Sequence, residues 1–269
     1  MKIEDIISIS IEAGEAIMQV YADESRFAQV DIKADDSPLT AADTLANGII
    51  VEKLNALYPE IPVISEEIES MPYEQRKNWT SFFLVDPLDG TKEFIKRNGE
   101  FTVNIALIEN GIPLLGVICV PVKKEVYAGE VGKGSFKEVK GVRVSLEADC
   151  NKEIKTAVGS RSHESAEEKV VLDRFSVEDK ISIGSSLKFC LIAEGSAHVY
   201  YRFGPTMEWD VAAGHAILRA AGGEVVKGDE MKEVFTYNKP DLRNGSFLCL
   251  GKNYLTVQNI EHKTLNFER

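Results

Sequence analysis

The sequence predicts an α/β fold whose two halves follow different patterns. Between residues 103 and 131, short apolar segments separated by turn signals are typical of an antiparallel meander. Between residues 156 and 221, strand-like and helical segments alternate, which is typical of an α/β layer. The change of pattern predicts an N-terminal α+β subdomain over residues 1–150 and a C-terminal α/β subdomain over residues 151–269.

The composition limits the classes of partner. The 269 residues include 31 Lys and Arg against 43 Asp and Glu, a net charge of −12. This charge disfavours nucleic-acid polymers and anionic lipid as partners. No apolar run reaches the length of a transmembrane helix, so we expect no stable membrane insertion, with peripheral association at the inner membrane left open. The four cysteines form no CxxC pair, which predicts reduced thiols and a cytoplasmic location.

Hydrophobic spacing predicts the first two helices. Residues 3–21 place apolar side chains at helical intervals between acidic residues. Pro38 predicts a loop or hairpin before a second helix over residues 40–58, which ends before Pro59. That helix is expected to turn four large apolar residues inward: Leu45, Ile49, Leu54 and Leu57.

Short apolar runs predict the strands. Residues 62–65 and 82–85 form two such runs, and the polar residues 69–80 between them are expected at the surface. Further strands are predicted near residues 103–109, 114–120, 126–131, 156–159, 180–183, 197–201, 223–226 and 246–250. The later helices are predicted over residues 164–175, 186–195 and 211–221.

Two carboxylates follow directly on the apolar strand 82–85. Asp86 and Asp89 lie in the segment Asp-Pro-Leu-Asp-Gly-Thr, in which Gly90 permits a sharp turn and Thr91 can open a helix. Carboxylates at such a place can hold metal ions, while the helix N-terminus can bind a phosphate. Taken alone, the segment is also typical of an ordinary acidic turn.

Three further segments place acidic residues at the ends of predicted elements. Glu66 and Glu67 end the strand 62–65, Asp210 begins a helix, and Asp43 lies where a polar loop enters the second helix. Each one alone is typical of a helix-start acid or of a solvated loop. Together they predict an oxygen-ligated site for several divalent ions, since no His or Cys set has zinc spacing. Such ions would also offset the repulsion between an acidic protein and an anionic substrate.

In order and spacing, these segments resemble the inositol monophosphatase superfamily. Asp86-Pro-Leu-Asp-Gly-Thr91 is similar to its first signature and Trp209-Asp-Val-Ala-Ala213 to its second. Residues 36–43 and the pair Glu66-Glu67 fall in the expected places. The resemblance extends from the first helix to about residue 251, and it implies the layered αβαβα sandwich of that superfamily.

Within the superfamily the chain is most similar to the bacterial 3′(2′),5′-bisphosphate nucleotidases. The segments that carry this similarity are residues 92–104, 160–163, 184–189, 193–202 and 206–210. The resemblance implies a Mg²⁺-dependent hydrolase that converts adenosine 3′,5′-bisphosphate to AMP and phosphate, is sensitive to Li⁺ and serves sulfur metabolism. Two alternatives stay open: an inositol monophosphatase or other sugar phosphatase of the superfamily, and a non-catalytic phosphate- or metal-binding protein.

The resemblance also implies roles for individual residues. Two or three Mg²⁺ ions would be held by five residues, Glu66, Asp86, Leu88 through its carbonyl, Asp89 and Asp210. The attacking water would be oriented and activated by Thr91, Asp43 and Glu66. The substrate would be bound by Gly90, Thr91, His163, Ser185, Lys188 and Arg202, with the imidazole stacked on the adenine and the two cations near the 5′-phosphate.

Overall fold

The computed structural model describes residues 1–28, 30–32, 38–69, 71–148, 156–160, 165–175, 177–228 and 233–251. The helices are α1 (Ile3–Ala22), α2 (Glu24–Phe27), α3 (Ala41–Leu57), α4 (Tyr73–Arg76), α5 (Thr91–Ile95), α6 (Ala166–Leu172), α7 (Leu187–Ala193) and α8 (Glu208–Ala220), and a 3₁₀ helix, Asp173–Phe175, follows α6. The strands are β1 (Val30–Ile32), β2 (Pro38–Thr40), β3 (Val63–Ser65), β4 (Ser81–Asp89), β5 (Thr102–Glu109), β6 (Ile112–Val120), β7 (Glu125–Glu130), β8 (Gly134–Val139), β9 (Val142–Ser145), β10 (Thr156–Ser160), β11 (Asp179–Ile183), β12 (Val199–Arg202), β13 (Thr206–Met207), β14 (Glu224–Lys227), β15 (Arg243–Asn244) and β16 (Phe247–Leu250).

Two large sheets organise these elements. The first has seven strands in the order β3-β4-β5-β6-β7-β8-β9, with β3 parallel to β4 and antiparallel pairing from β4 onward. The second has the order β11-β10-β12-β16-β14, in which β10 is parallel to both neighbours and β16 is antiparallel to both of its own. The predicted meander is confirmed as β5, β6 and β7, and it continues through β8 and β9, which the sequence patterns did not indicate.

The sheets and helices stack in five layers. Helices α1 and α3 cover one face of the first sheet, α7 and α8 lie between the two sheets, and α6 packs on the outer face of the second. The predicted αβαβα sandwich is therefore confirmed. Side chains of β4 alternate between the two inner layers: Phe82 and Leu84 face α8, whereas Phe83 and Val85 face α1 and α3. Because both faces of this strand are buried, its sequence is apolar throughout rather than alternating.

Helix α8 approaches the first sheet closely because glycine leaves room for it. A Cβ atom at Gly116 on β6 would lie 2.3 Å from the carbonyl oxygen of Ala213. At Gly214, on α8 itself, a Cβ atom would lie 2.3 Å from the ring of Phe189 on α7. Both positions exclude any larger residue, so this packing sets the position of the helix whose first turn carries Asp210.

Helix α3 turns a different face inward from the one its large residues suggested. Its buried side chains include Ala42, Ala46, Ile50 and Leu54, so the prediction for Leu54 is confirmed. The predictions for Leu45 and Leu57 are wrong, since they are 38% and 53% exposed, and Ile49 is half-buried. Ala42 and Ala46 on the inward face let the first half of α3 pack closely against α1, while Leu45 and Leu57 lie on the other sides of the helix.

The segment 69–80 is less superficial than predicted. It contains α4, and Arg76 at the end of this helix is only 3% exposed. Its guanidinium donates to the side-chain oxygen of Asn238 at 2.6 Å, to the carbonyl of Pro240 at 3.0 Å and to the carbonyl of Met71 at 3.2 Å. A buried guanidinium needs such acceptors, so Arg76 fixes the segment to the C-terminal part of the chain.

Two expectations from composition can be compared with the described residues. Cys119, Cys190 and Cys249 are free and buried, as predicted, while Cys150 lies outside the described part. Among the helices of the described residues, none combines the length and apolar character needed to cross a bilayer. The division into subdomains near residue 150 stays a prediction.

Candidate metal and phosphate site

Three element ends bring acidic side chains to one edge of the first sheet. Because β3 and β4 are parallel neighbours, Glu66 after β3 and Asp86 near the end of β4 come to the same edge. Asp210 arrives from the first turn of α8, where its carboxylate accepts the Met207 N–H at 2.8 Å. One carboxylate oxygen each of Glu66, Asp86 and Asp210 lies within 4.8 Å of the other two.

The charges of this cluster repel one another in a buried setting. Asp86 is 2% exposed, and burial raises its pKa well above the usual aspartate value, with repulsion from Glu66, Asp89 and Asp210 adding to the effect. Burial likewise raises the pKa of Asp210, and Asp89 and Glu66 add to the shift. Hard oxygen donors that carry excess negative charge fit Mg²⁺, because a divalent cation relieves the repulsion.

Asp89 stands beside this group of three carboxylates. Its Oδ2 atom accepts the backbone N–H of Ser186 at 2.6 Å and the side-chain amide of Asn104 at 3.3 Å. Burial raises the pKa of the Asp89 carboxyl, while Lys188 and these two donors act in the opposite direction. The Leu88 N–H donates to Asp86 at 3.1 Å, which orients the Asp86 carboxylate from within its own turn.

Thr91 and Asp43 meet as the resemblance implied. The Thr91 hydroxyl lies 3.3 Å from Asp43 Oδ1 and 3.3 Å from the Leu88 carbonyl oxygen. Asp43 is 1% exposed, and its Oδ2 accepts both the N–H and the hydroxyl of Thr40, the residue that caps α3. This capping box holds the Asp43 carboxylate with its other oxygen toward Thr91.

A cavity of about 460 Å³ joins these groups to the second half of the chain. Ten of the twelve predicted site residues line it: Glu66, Asp86, Leu88, Asp89, Gly90, Thr91, Ser185, Lys188, Arg202 and Asp210. Asp43 lies behind Thr91, outside the lining, and His163 lies outside the described residues.

The cavity is also lined by two buried cations. Lys188 is 7% exposed, and burial lowers its pKa to about 8, although attraction to Asp89 opposes the shift. Its ammonium donates to the Ser185 carbonyl. Arg202 is 8% exposed, and its guanidinium lies 3.9 Å from the Glu168 carboxylate.

Ser185 combines an unusual backbone with an available hydroxyl. Its φ of 50° lies in the left-handed region, which turns the chain sharply just before α7. The Ser185 hydroxyl oxygen is buried, and no hydrogen-bond partner for it is found within the described ranges. A buried hydroxyl that lines a cavity in this way is suited to a ligand.

The sequence patterns missed the aromatic wall of the cavity. Tyr200 and Phe247 line it beside the predicted residues, and Phe189 completes the wall. The Lys188 ammonium lies 5.5 Å from the centre of the Tyr200 ring. One signal was present, since Tyr200 and Arg202 are two residues apart on β12 and therefore face the same side of the sheet.

Comparison with known proteins agrees with the geometry. The model of the inositol monophosphatase family matches residues 3–263. The 3′(2′),5′-bisphosphate nucleotidase CysQ of Salmonella typhimurium is 52% identical over 224 residues, which are 83% of this chain and 89% of that protein. CysQ of Escherichia coli is 50% identical over the same shares of both chains. The crystal structure of CysQ from Bacteroides thetaiotaomicron matches with a TM-score of 0.81 and 46% identity, over 93% of this chain and 97% of that one. The chain therefore belongs to the inositol monophosphatase family.

Proposed function

We propose that this chain is a Mg²⁺-dependent 3′(2′),5′-bisphosphate nucleotidase that hydrolyses adenosine 3′,5′-bisphosphate to AMP and phosphate. Relatives with about half of their residues in common carry that name. The observation that supports the proposal most directly is one cavity lined both by an acidic cluster (Glu66, Asp86, Asp89 and Asp210), here called its acidic end, and by two buried cations (Lys188 and Arg202), here called its cationic end. A substrate with two phosphates would match this combination of charges, one phosphate bound through cations at the acidic end and one at the cationic end.

The acidic end provides the ligands for divalent cations. Glu66, Asp86 and Asp210 supply converging oxygens, and Asp89 and the Leu88 carbonyl complete the proposed set for two ions, with a weaker third ion near Glu66 or Glu67. When bound, such ions neutralise phosphoryl charge and lower the pKa of an attacking water. The raised pKa values of Asp86 and Asp210 mark where positive charge is needed.

Thr91, Asp43 and Glu66 are proposed to orient the attacking water and to accept its proton. The Thr91 hydroxyl donates a hydrogen bond to Asp43. Its oxygen can therefore accept a hydrogen bond from the attacking water. Glu66, at the edge of the cavity, is the carboxylate that takes up the water proton. The backbone N–H groups of Gly90 and Thr91 donate to the phosphate oxygens that carry the transition-state charge.

The cationic end recognises the second phosphate. Arg202 can present two parallel N–H groups to a phosphate, and Lys188 adds a third charged donor. The buried hydroxyl of Ser185 completes this pocket. His163 is proposed to stack on the adenine, and the proposal further includes inhibition by Li⁺, a role in sulfur metabolism and action in the cytoplasm.

The test is phosphate release from a panel of phosphomonoesters with purified protein and Mg²⁺. We expect kcat/KM to be highest for adenosine 3′,5′-bisphosphate, with inositol 1-phosphate and fructose 1,6-bisphosphate well below it. Chelation with EDTA should abolish the activity, and added Mg²⁺ should restore it. Preference for inositol 1-phosphate would make the chain a sugar phosphatase of the same family, and no turnover of any ester would make it a binding protein.

A further inference from the structure

The two residues that donate to Asp89 belong to a larger buried polar network. It consists of Thr102 and Asn104 on β5 and Ser186 at the start of α7, which are exposed by 0%, 1% and 1%. In the β4–β5 pairing, Asn104 stands opposite Asp86 and Thr102 stands opposite Asp89. The two β5 residues are two positions apart, so their side chains share one face of the sheet.

The Asp89 carboxylate determines the orientation of the Asn104 amide, and the hydroxyl groups of the network fit that orientation. An ionised carboxylate can only accept hydrogen bonds, so the Asn104 NH₂ group faces Asp89 Oδ2, at 3.3 Å. Asn104 Oδ1 then faces the hydroxyls, with Ser186 Oγ at 2.8 Å and Thr102 Oγ1 at 3.1 Å, and the two hydroxyl oxygens are 2.8 Å apart. Because a hydroxyl can donate, both groups stabilise the amide in this orientation.

The network fixes the Asp89 carboxylate at a point where the regular pairing of β4 with β5 is interrupted. The register of the β4–β5 pairing shifts between Asp86 and Asp89, so regular pairing is interrupted just before Asp89. Asp89 Oδ2 instead receives two donors, the Ser186 N–H at 2.6 Å and the Asn104 amide. Within the described part of the chain both donors reach the same oxygen, so that Oδ1 is left for a cation.

We propose that Asn104 is a positioning residue for the metal site, which fixes the Asp89 carboxylate through Oδ2 so that Oδ1 can bind a cation. The inference rests on the proposed role of Asp89 as a metal ligand. Side chains that hold metal ligands from behind typically contribute about 10–100-fold to metal affinity or activity. Since Ser186 is the residue next to Ser185, the same network also connects the metal site to the loop that lines the substrate cavity.

The direct test is the Asn104→Asp variant, which keeps the shape of the side chain but turns a donor to Asp89 into a second negative group. We expect Mn²⁺ affinity, measured by electron paramagnetic resonance on the free ion, to fall about 10–100-fold. The Mg²⁺ concentration for half-maximal phosphate release should rise by a similar factor. The matched control is Val103→Ala, which removes buried volume from the opposite face of the same strand and should lower the melting temperature without changing Mn²⁺ affinity.

A second pair of variants covers the case in which Asn104→Asp does not fold. Thr102→Val removes one hydroxyl that orients the amide, so Mn²⁺ affinity should fall by a smaller factor, and Thr102→Ser should restore it. In an Asp89→Asn background, these substitutions should have no further effect on Mn²⁺ affinity, because the group through which they act is gone.

The possible outcomes separate the inference from the proposed function. A wild-type protein that binds no Mn²⁺ and releases no phosphate overturns both. A wild-type protein that binds Mn²⁺, with unchanged affinity in Asn104→Asp or in Thr102→Val, overturns the inference alone. A loss of affinity that Val103→Ala reproduces, or that persists in the Asp89→Asn background, also overturns it, because the network would then stabilise the fold without positioning Asp89.

Discussion

The acidic end of the cavity and its cationic end differ in how the chain assembles them. The acidic end uses the edge of one sheet, where Asp86 and Asp89 lie three residues apart near the end of β4. The cationic end takes Lys188 from α7 and Arg202 from β12, and the Glu168 carboxylate that faces Arg202 comes from α6. The proposed metal site thus takes two ligands from one short segment and the others from the end of β3 and from α8, whereas the proposed substrate pocket depends on tertiary packing alone.

The largest expected effect is at the acidic end. Asp86→Asn keeps the size of the side chain but removes a central charge, so we expect turnover to be lost. Glu52→Gln on the exposed side of α3 is the matched control and should retain full activity. Phosphate release and circular dichroism together test this, and a folded variant with wild-type turnover would show that Asp86 is not a metal ligand.

The same variant should alter the stability of the metal-free protein. Because the pKa of Asp86 is raised in the folded state, its protonated form stabilises the fold fully below the unfolded value of 3.8, and this contribution is lost as the pH rises through the folded pKa. Metal-free Asp86→Asn should therefore lose less stability than the wild type as the pH rises toward 7. Urea unfolding in EDTA at several pH values measures the difference, and parallel curves would contradict the expected repulsion.

Thr91→Ala should have the next largest effect. The Thr91 hydroxyl, which contacts Asp43, is proposed to act on the attacking water, and assistance of this kind is typically worth about 10²–10⁴-fold in rate. The loss should appear in kcat with little change in KM, while Thr91→Ser should retain most of the rate. Steady-state kinetics distinguish the alternatives, since a change confined to KM would mean that Thr91 only binds the substrate.

The sequence predicts residues that lie in short local segments better than residues that only tertiary packing brings together. The acidic residues were identifiable because short segments place them at strand and helix ends, and such ends come together at a sheet edge. Asn104 was not singled out, because its role depends on the hydroxyl of Ser186, 82 residues away in the sequence. No local pattern predicts that such distant side chains will share a buried hydrogen bond.

The layers of the fold were predictable because they follow from local sequence patterns. The errors at α3 and Arg76 arose where contacts distant in sequence decide which side chains are buried. Strand and helix patterns are local, so the longer elements were found, whereas β8, β9 and the short elements α2, α4, β13 and β15 were not. The inward face of α3 was predicted wrongly because the inward position of Asp43 and the contact with α1 select the face that carries Ala42 and Ala46 together with Ile50 and Leu54. The burial of Arg76 was missed because its acceptors, Asn238 and Pro240, are more than 160 residues away.

At the cationic end, Arg202→Gln should produce a selective loss. One charge-assisted hydrogen bond is worth about 1.5–3 kcal/mol, so kcat/KM for adenosine 3′,5′-bisphosphate should fall about 10–100-fold. Hydrolysis of inositol 1-phosphate should stay within about twofold, since that substrate lacks the second phosphate. Lys123→Ala in an exposed turn is the control for general loss of positive charge. Equal losses for both substrates would mean that Arg202 acts only through its ion pair with Glu168.

The smallest expected effect is a pH dependence of substrate binding. Lys188 has a pKa of about 8, mainly because it is buried, while Arg202 lowers the value and Asp89, Asp210 and Glu100 raise it. The ammonium is therefore mostly charged at pH 7 and mostly neutral at pH 9. A 5′-phosphate has its second pKa near about 6 and keeps both charges over this interval. The KM for adenosine 3′,5′-bisphosphate should rise by up to about tenfold between these pH values, because a neutral amine loses its charge-assisted contact.

Two comparisons assign this rise to the Lys188 side chain. Inositol 1-phosphate should show a flatter KM profile, because its binding depends on the acidic end alone. Lys188→Met, which keeps the length of the side chain without its charge, should have a high KM for the nucleotide that no longer changes between pH 7 and pH 9. A rise that persists in Lys188→Met would place the titrating group elsewhere, and the cationic end would then select its substrate through Arg202 without Lys188.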